Sequence, residues 1–256
     1  MTARAVTGAR YAAFLCPDPK SAAGVAAAEW LGRCAGRNAP VRQPFIPGVS
    51  ASVFAALTEE PRARGFHATL RAPFEAAAGI SRRAILEEVE SIARSHAAFR
   101  LPPLAVRMHG ECLALVTEHG DSDVATLAAE CVMRLDAYRA SPSPDEIRER
   151  VAHGLSARQH GLLLRWGDPY VMDEYRLHFT LTGQLTMFGE EVADRLAAQA
   201  AEHFAGAIDE LRRIDHIALF EQPAPGLAFR IAFMAPLAAP STFPQKLRRT
   251  RPSLPR

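Results

Sequence analysis

Gly65-Phe66-His67-Ala68-Thr69-Leu70 and Arg176-Leu177-His178-Phe179-Thr180-Leu181 each set a histidine two residues before a threonine within an apolar run. Side chains alternate along a β-strand, so residues i and i+2 share a face. His67 and Thr69 then point one way, as do His178 and Thr180, while Phe66, Ala68, Leu70, Leu177, Phe179 and Leu181 turn toward a core. Two imidazole–hydroxyl pairs meeting across a cleft would make a site for acid–base work on a phosphate ester. In-line attack on a phosphodiester needs a base for the nucleophile's proton, an acid for the departing oxygen and donors for the non-bridging oxygens. Histidine, with an ordinary pKa of about 6.5, supplies both proton transfers near neutrality. Threonine hydroxyls, stiff at χ1, suit the oxygens. Arg71 continues the His67/Thr69 face and Arg176 the His178/Thr180 face, where a guanidinium fork would neutralise phosphate charge. Tyr11, Trp166, Tyr170 and Tyr175 are candidates for lining a base- or ring-binding surface.

The competing reading of either histidine alone is a half-buried strand residue bonded to a neighbour. The site reading depends on the two strands lying side by side in space. His96 and His203 fall on helical patterns, His109 and His119 near strand ends, and His153 and His160 in a helical hairpin; all rank below the motif pair. His216 shares its face with Ala218 and Phe220 and is read as structural. No His-Glu-x-x-His, Asp-rich cluster or Cys-x-x-Cys occurs in the sequence, so the expected chemistry uses no metal and no cofactor.

Composition sets the class. The 256 residues are 48% hydrophobic and 23% charged, as in a soluble globular protein of one large domain or two small ones. A net charge of +2 argues against a broad electrostatic hold on nucleic acid. Cys16, Cys34, Cys112 and Cys131 are scattered among small and apolar neighbours, which suggests buried thiols in a reducing cytoplasm. The first residues lack the apolar stretch of a signal peptide, and no run is long enough to span a membrane.

The elements that must position the motifs follow from periodicity and punctuation. Residues 11–16 predict a strand, 21–34 a helix, and 53–57 a short helix before the first motif strand, which Pro73 closes. Ile85, Val89 and Ile92 predict a helix over 82–95, and two strands, 104–108 and 112–117, flank a turn at Gly110. Val124, Leu127, Cys131 and Leu135 mark a further helix. Ser143-Pro144-Asp145-Glu146 and Ser156-Ala157-Arg158-Gln159 are capping boxes that open the arms of a helical hairpin broken at Gly154. The second motif strand is followed by a helix over 190–204 and strands at 214–220 and 229–233. The order predicts an α+β fold built from a duplicated unit. From Ala238 the chain is proline-rich and basic (Lys246, Arg248, Arg249, Arg251, Arg256), a composition expected to stay disordered.

At these residues the sequence resembles the 2H phosphoesterase superfamily, and within it a branch of uncharacterised phosphonate metabolism proteins encoded in bacterial phosphonate-utilisation operons. The resemblance is carried by Arg10-Tyr11-Ala12, the segment Gly65 to Phe74, Leu113-Ala114-Leu115-Val116, Ala137-Tyr138-Arg139-Ala140, Arg165-Trp166-Gly167-Asp168-Pro169-Tyr170-Val171 and Tyr175 to Gly183. It extends over residues 9–236 and leaves 237–256 outside. It implies a two-lobed α+β fold, with lobes of roughly 9–120 and 121–236 that exchange strands, antiparallel sheets lining a central cleft, and a pseudo-twofold axis. His67 and His178 would be the acid–base pair, and Thr69 and Thr180 the phosphate binders. The implied activity is a metal-independent cyclic phosphodiesterase acting on a small sugar or nucleotide, with RNA ends as a further class of partner. The alternative is a phosphate- or RNA-end-binding protein that uses the same cleft without chemistry.

Overall fold

Tyr11-Ala12-Ala13-Phe14-Leu15 is apolar on both faces, and it occupies a position where both are covered, the interior of a sheet. A computed structural model describes residues 8–120, 122–152 and 154–239. Seven strands of at least three residues form two antiparallel sheets among these residues: β1 (Arg10–Leu15), β2 (Ala68–Glu75), β3 (Leu104–His109), β4 (Cys112–Thr117), β5 (His178–Thr180), β6 (His216–Gln222) and β7 (Arg230–Pro236). The first sheet runs β7-β6-β1-β2 and the second β3-β4-β5. Each motif segment therefore supplies an edge strand, β2 to one sheet and β5 to the other. The pairing crosses the halves of the chain. The β3–β4 hairpin follows the first motif yet hydrogen-bonds the second, with Val116 opposite His178 and Ala114 opposite Thr180. In turn β6, which follows the second motif, pairs with β1, placing Ala218 opposite Phe14.

Helices cover the sheets where the periodicity places them. α1 (Ala22–Leu31) is capped by Ser21 and stopped by Gly32 in the left-handed region. α2 (Ala51–Leu57) is followed directly by α3 (Glu59–Arg64), which periodicity does not announce. Its signals are local: Glu59 and Glu60 at the positive end, Arg62 and Arg64 at the negative end, and Pro61 within the first turn, where its missing N–H costs nothing. α4 (Arg82–Ser95) buries Ile85, Val89 and Ile92, and α5 (Ser122–Leu135) buries Val124, Leu127, Cys131 and Leu135. α6 (Pro144–Val151) and α7 (Ala157–Trp166) form the expected hairpin, each with a complete capping box. α8 (Glu190–Phe204) and the single turn α9 (Ile208–Leu211) precede the last strands.

The core joins the two motifs from behind. Phe66 and Phe179, each the neighbour of a motif histidine and turned to the opposite face, stack at 5.3 Å, and Phe204 of α8 stacks on Phe66 at 5.6 Å. Burying a phenylalanine contributes about 1.5–3 kcal/mol and such a ring pair about 0.5–1.5 kcal/mol more, so this cluster is a principal force drawing the strands together. Trp30 of α1 donates its indole N–H to the Leu181 carbonyl at 3.0 Å, tying that helix to the end of the second motif. Arg62 anchors α3 by donating to the carbonyls of Leu31 at 2.6 Å and Ala55 at 2.8 Å, and to the Thr58 hydroxyl. That anchor fixes the approach to Gly65.

Cys16, Cys34 and Cys131 are buried and Cys112 half-buried, all as free thiols. The chain remains hydrogen-bonded beyond β7: Ala98 N–H donates to the Ala238 carbonyl, and Ala238 N–H to that of His96. The rest of the basic stretch, from residue 240, and His153 lie outside the described residues. No helix among the described residues is long and apolar enough to cross a membrane.

Candidate functional site

Gly65 ends α3 with φ 85° and ψ 162°, a conformation essentially reserved for glycine. This turns its carbonyl toward the ring two residues on, and His67 Nδ1 lies 2.7 Å from it. The second motif repeats the device without a glycine: His178 Nδ1 lies 2.8 Å from the Arg176 carbonyl. A carbonyl only accepts, so the proton resides on Nδ1 in both rings and Nε2 is left for other work. Each imidazole is also held flat. Phe14 stacks on His67 at 3.8 Å, and His109, at the end of β3, stacks on His178 at 4.2 Å. Both motif histidines line one cavity of about 480 Å³, together with Thr69, Tyr170, Tyr175 and Arg176.

Four candidates from the sequence do not line this cavity, and strand geometry explains two of them, Arg71 and Tyr11. Between Thr69 and Phe74 the pairing with β1 shifts twice: Thr69 opposes Phe14, but Arg71 opposes Ala13. An extra residue reverses the alternation, so Arg71 leaves the face of His67 and Thr69. It is 2% exposed, with Nη1 donating to the Trp166 carbonyl at 2.9 Å and its guanidinium over the Phe74 ring. Tyr11 opposes Phe74 and is buried in the main core, on the other side of β1 from Phe14. Trp166 ends α7, packs on Val132, Leu162 and Val171, and carries the Arg165 guanidinium over its ring. Thr180 is half-buried opposite Ala114 and is not among the lining side chains. Residues that the sequence left unassigned do line the cavity: Phe14, Arg64, His109, Gln159, Asp168 and Glu174. Nothing local to the β3–β4 hairpin indicates that β5 will pair beside it and bring His109 to His178.

The two rings differ in surroundings. His67 is 9% exposed, and burial pushes its pKa down to about 3, helped by Arg64 and His178 and opposed by the Gly65 carbonyl. Burial, and then His178, lower the pKa of His109 as well. His67 is therefore neutral through the physiological range, with a free lone pair on Nε2. This carries a stability consequence. The unfolded chain protonates this ring below about pH 6.5 and the folded chain only near pH 3. Stability from the neutral ring is complete above pH 6.5 and lost as pH falls, at up to about 1.4 kcal/mol per unit. Urea unfolding at pH 7.5 and pH 4.5 should show His67→Asn losing clearly less stability on acidification than wild type. Equal losses would show that the ring protonates in place. Among the described residues no group of three or more His, Cys, Asp or Glu side chains could hold a metal ion.

The fold is thus an α+β protein whose two antiparallel sheets bring a pair of matching histidines into one cleft. The chain belongs to the family described as "Protein of unknown function (DUF1045)", whose profile matches residues 69–230. Two curated relatives carry the name ribose 1,5-bisphosphate phosphokinase PhnN. The protein from Janthinobacterium sp. (strain Marseille) is 34% identical over 221 residues, covering 86% of this chain and 49% of the relative. That from Laribacter hongkongensis (strain HLHK9) is 40% identical over 222 residues, covering 87% and 50%. The chain spans about half the length of these relatives. Among solved structures, Kluyveromyces marxianus Usb1 superposes with a TM-score of 0.30 at 12% identity, covering 68% of this chain and 76% of that one, too loose a match to bear on fold or activity.

Proposed function

We propose that the protein is a metal-independent phosphodiesterase that opens a cyclic phosphate on a small sugar or nucleotide by two-histidine acid–base catalysis. The observation that carries this reading is the repeated device: two imidazoles in one cleft, each with Nδ1–H bonded to the carbonyl two residues earlier. His67, buried and neutral, is the base, and the less enclosed His178 is the acid. Water attacks phosphorus and gives its proton to His67 Nε2. The bond to the ring oxygen breaks, and His178 Nε2–H protonates that oxygen, leaving a phosphomonoester. Thr69 and Arg176 are placed to bind the non-bridging oxygens, with Thr180 supporting β5 and Arg64 adding positive charge to the rim. A cavity of about 480 Å³ suits a sugar or nucleotide phosphate.

The relatives and the family resemblance support a place in phosphonate metabolism, where a cyclic ribose phosphate is an apt substrate. The chain contains no Gly-x-x-x-x-Gly-Lys-Ser/Thr segment, and its lysines are Lys20 and Lys246 alone. A P-loop phosphokinase needs that segment to cradle its nucleotide, so we assign the kinase activity named for the relatives to the half that this chain does not match. Motif strands at the edges of both sheets, completed by strands from the other half of the chain, support a duplicated, two-lobed origin with a pseudo-twofold axis. Free, buried thiols favour a reducing compartment.

Incubation with 2′,3′- and 1,2-cyclic phosphates, followed by ³¹P NMR, tests the proposal. Phosphomonoester should accumulate at the same rate with and without chelator. Loss of turnover in chelator would overturn metal independence. Saturable binding without product would favour the non-catalytic phosphate- or RNA-end-binding alternative.

A further inference from the structure

The arginine that the strand register removes from the histidine cleft lies on the wall of a second cavity. Arg10, Arg71, Arg139 and Arg150 meet there with Glu75 and Glu146 around a space of about 60 Å³. A buried water occupies about 10–15 Å³ of such a space, so the cavity takes a solute of about five heavy atoms. Ala72 and Pro73 line both cavities and form the partition between them.

The charges in this second cavity are incompletely matched from within the protein. Arg139 is paired, its Nε donating to Asp136 at 2.7 Å and its Nη2 to the Arg165 carbonyl at 3.1 Å. Arg150 donates Nη1 to the Gly167 carbonyl at 2.8 Å. Glu146 accepts from the Ser143 N–H at 2.6 Å, where it completes the capping box of α6. Arg71 is 2% exposed, and its buried Nε has no hydrogen-bond partner. Four guanidiniums and two carboxylates line the space, Asp136 holds Arg139 and Asp168 draws on Arg71 from beyond it, and the buried Arg71 Nε still has no partner, which is costly unless an anion offsets it. Burial pushes Arg71 down to about 10 against the pull of Asp168, and burial and then Arg150 lower Arg10. Planar forks from several directions suit a tetrahedral oxyanion.

We propose that this arginine pocket binds a small tetrahedral oxyanion of the phosphate class, separate from the phosphorus attacked between the histidines. The anion is either free phosphate or a second phosphate group carried by the substrate of the neighbouring cleft; only the latter rests on the proposed function. Calorimetric titration with inorganic phosphate and with sulfate tests the site without requiring turnover. Arg10→Gln/Arg150→Gln replaces two partly exposed members, and circular dichroism and thermal melting check that the variant folds. Its affinity for phosphate should fall by about tenfold or more, while His67→Asn/His178→Asn binds within about twofold of wild type. Wild-type protein that binds neither ion would overturn the site. So would binding that survives the arginine changes and vanishes in the histidine variant. The source is read from a 2′,3′-cyclic nucleotide with and without a 5′-phosphate: a KM raised by the arginine changes only for the 5′-phosphorylated compound assigns the pocket to substrate, and no discrimination assigns it to free phosphate. If neither compound turns over, the phosphodiesterase reading fails while the titration still decides the pocket.

Discussion

His67→Asn and His178→Asn should each lower kcat/KM for a cyclic phosphate by about 10²–10⁴-fold, and the double variant should lose little beyond the worse single one. Asparagine is the informative replacement. Its amide nitrogen can still donate to the carbonyl that Nδ1–H uses, at Gly65 or Arg176, so the change removes Nε2 and spares the local hydrogen bond. The pH profile tests the role of His67. kcat/KM reports groups of the free enzyme, and the base His67, with its pKa pushed down to about 3, stays ready well below neutrality. The wild-type profile should therefore show no acid limb between about pH 5 and 7. An acid limb centred near pH 6.5 in the wild-type enzyme would mean that His67 is not held neutral in solution and would reverse or remove the assignment of roles.

Local chemistry was legible in the sequence to the extent that it is written in short spacing. The capping boxes at Ser143 and Ser156, the α4 stripe of Ile85, Val89 and Ile92, and the turn of Phe66 and Phe179 away from the histidines all depend on residues a few positions apart. What the sequence could not show depends on register and on pairing over long separations. Arg71 obeys the period of two only until the pairing with β1 shifts, and no residue type in Thr69-Leu70-Arg71-Ala72 declares that shift in advance. Tyr11 and Phe14 lie on opposite faces of β1, but both faces are apolar, so alternation alone cannot say which one meets the cleft. His109 reaches His178 because the β3–β4 hairpin joins a strand from the other half of the chain. Asp168 and Gln159 come from the hairpin of α6 and α7 and the turn after it, whose packing against the sheets has no local signature. The Phe66–Phe179 stack belongs to the same class: each ring's face was readable, their meeting was not.

Gly65→Ala should destabilise the protein by about 2–4 kcal/mol and also reduce turnover in the molecules that remain folded. At φ 85° and ψ 162° an L-residue is strained wherever it stands, by about 1–3 kcal/mol. Here a Cβ would in addition lie 2.8 Å from Ala35 Cβ and 3.3 Å from the Phe220 ring, so the backbone must move to admit it. That movement displaces the carbonyl that fixes the His67 tautomer, and it disturbs the wall of Phe14 and Phe220 against which the ring rests. Gly79→Ala is the matched control: φ is 81°, and an added Cβ meets nothing within 4 Å. It should cost about 1 kcal/mol of conformational strain and leave turnover unchanged. Chemical unfolding together with kcat on a responsive cyclic phosphate measures both effects. If Gly65→Ala unfolds with Gly79→Ala and turns over at the wild-type rate, the Gly65 carbonyl does not position the base, and the symmetry between the two histidine devices has no bearing on catalysis.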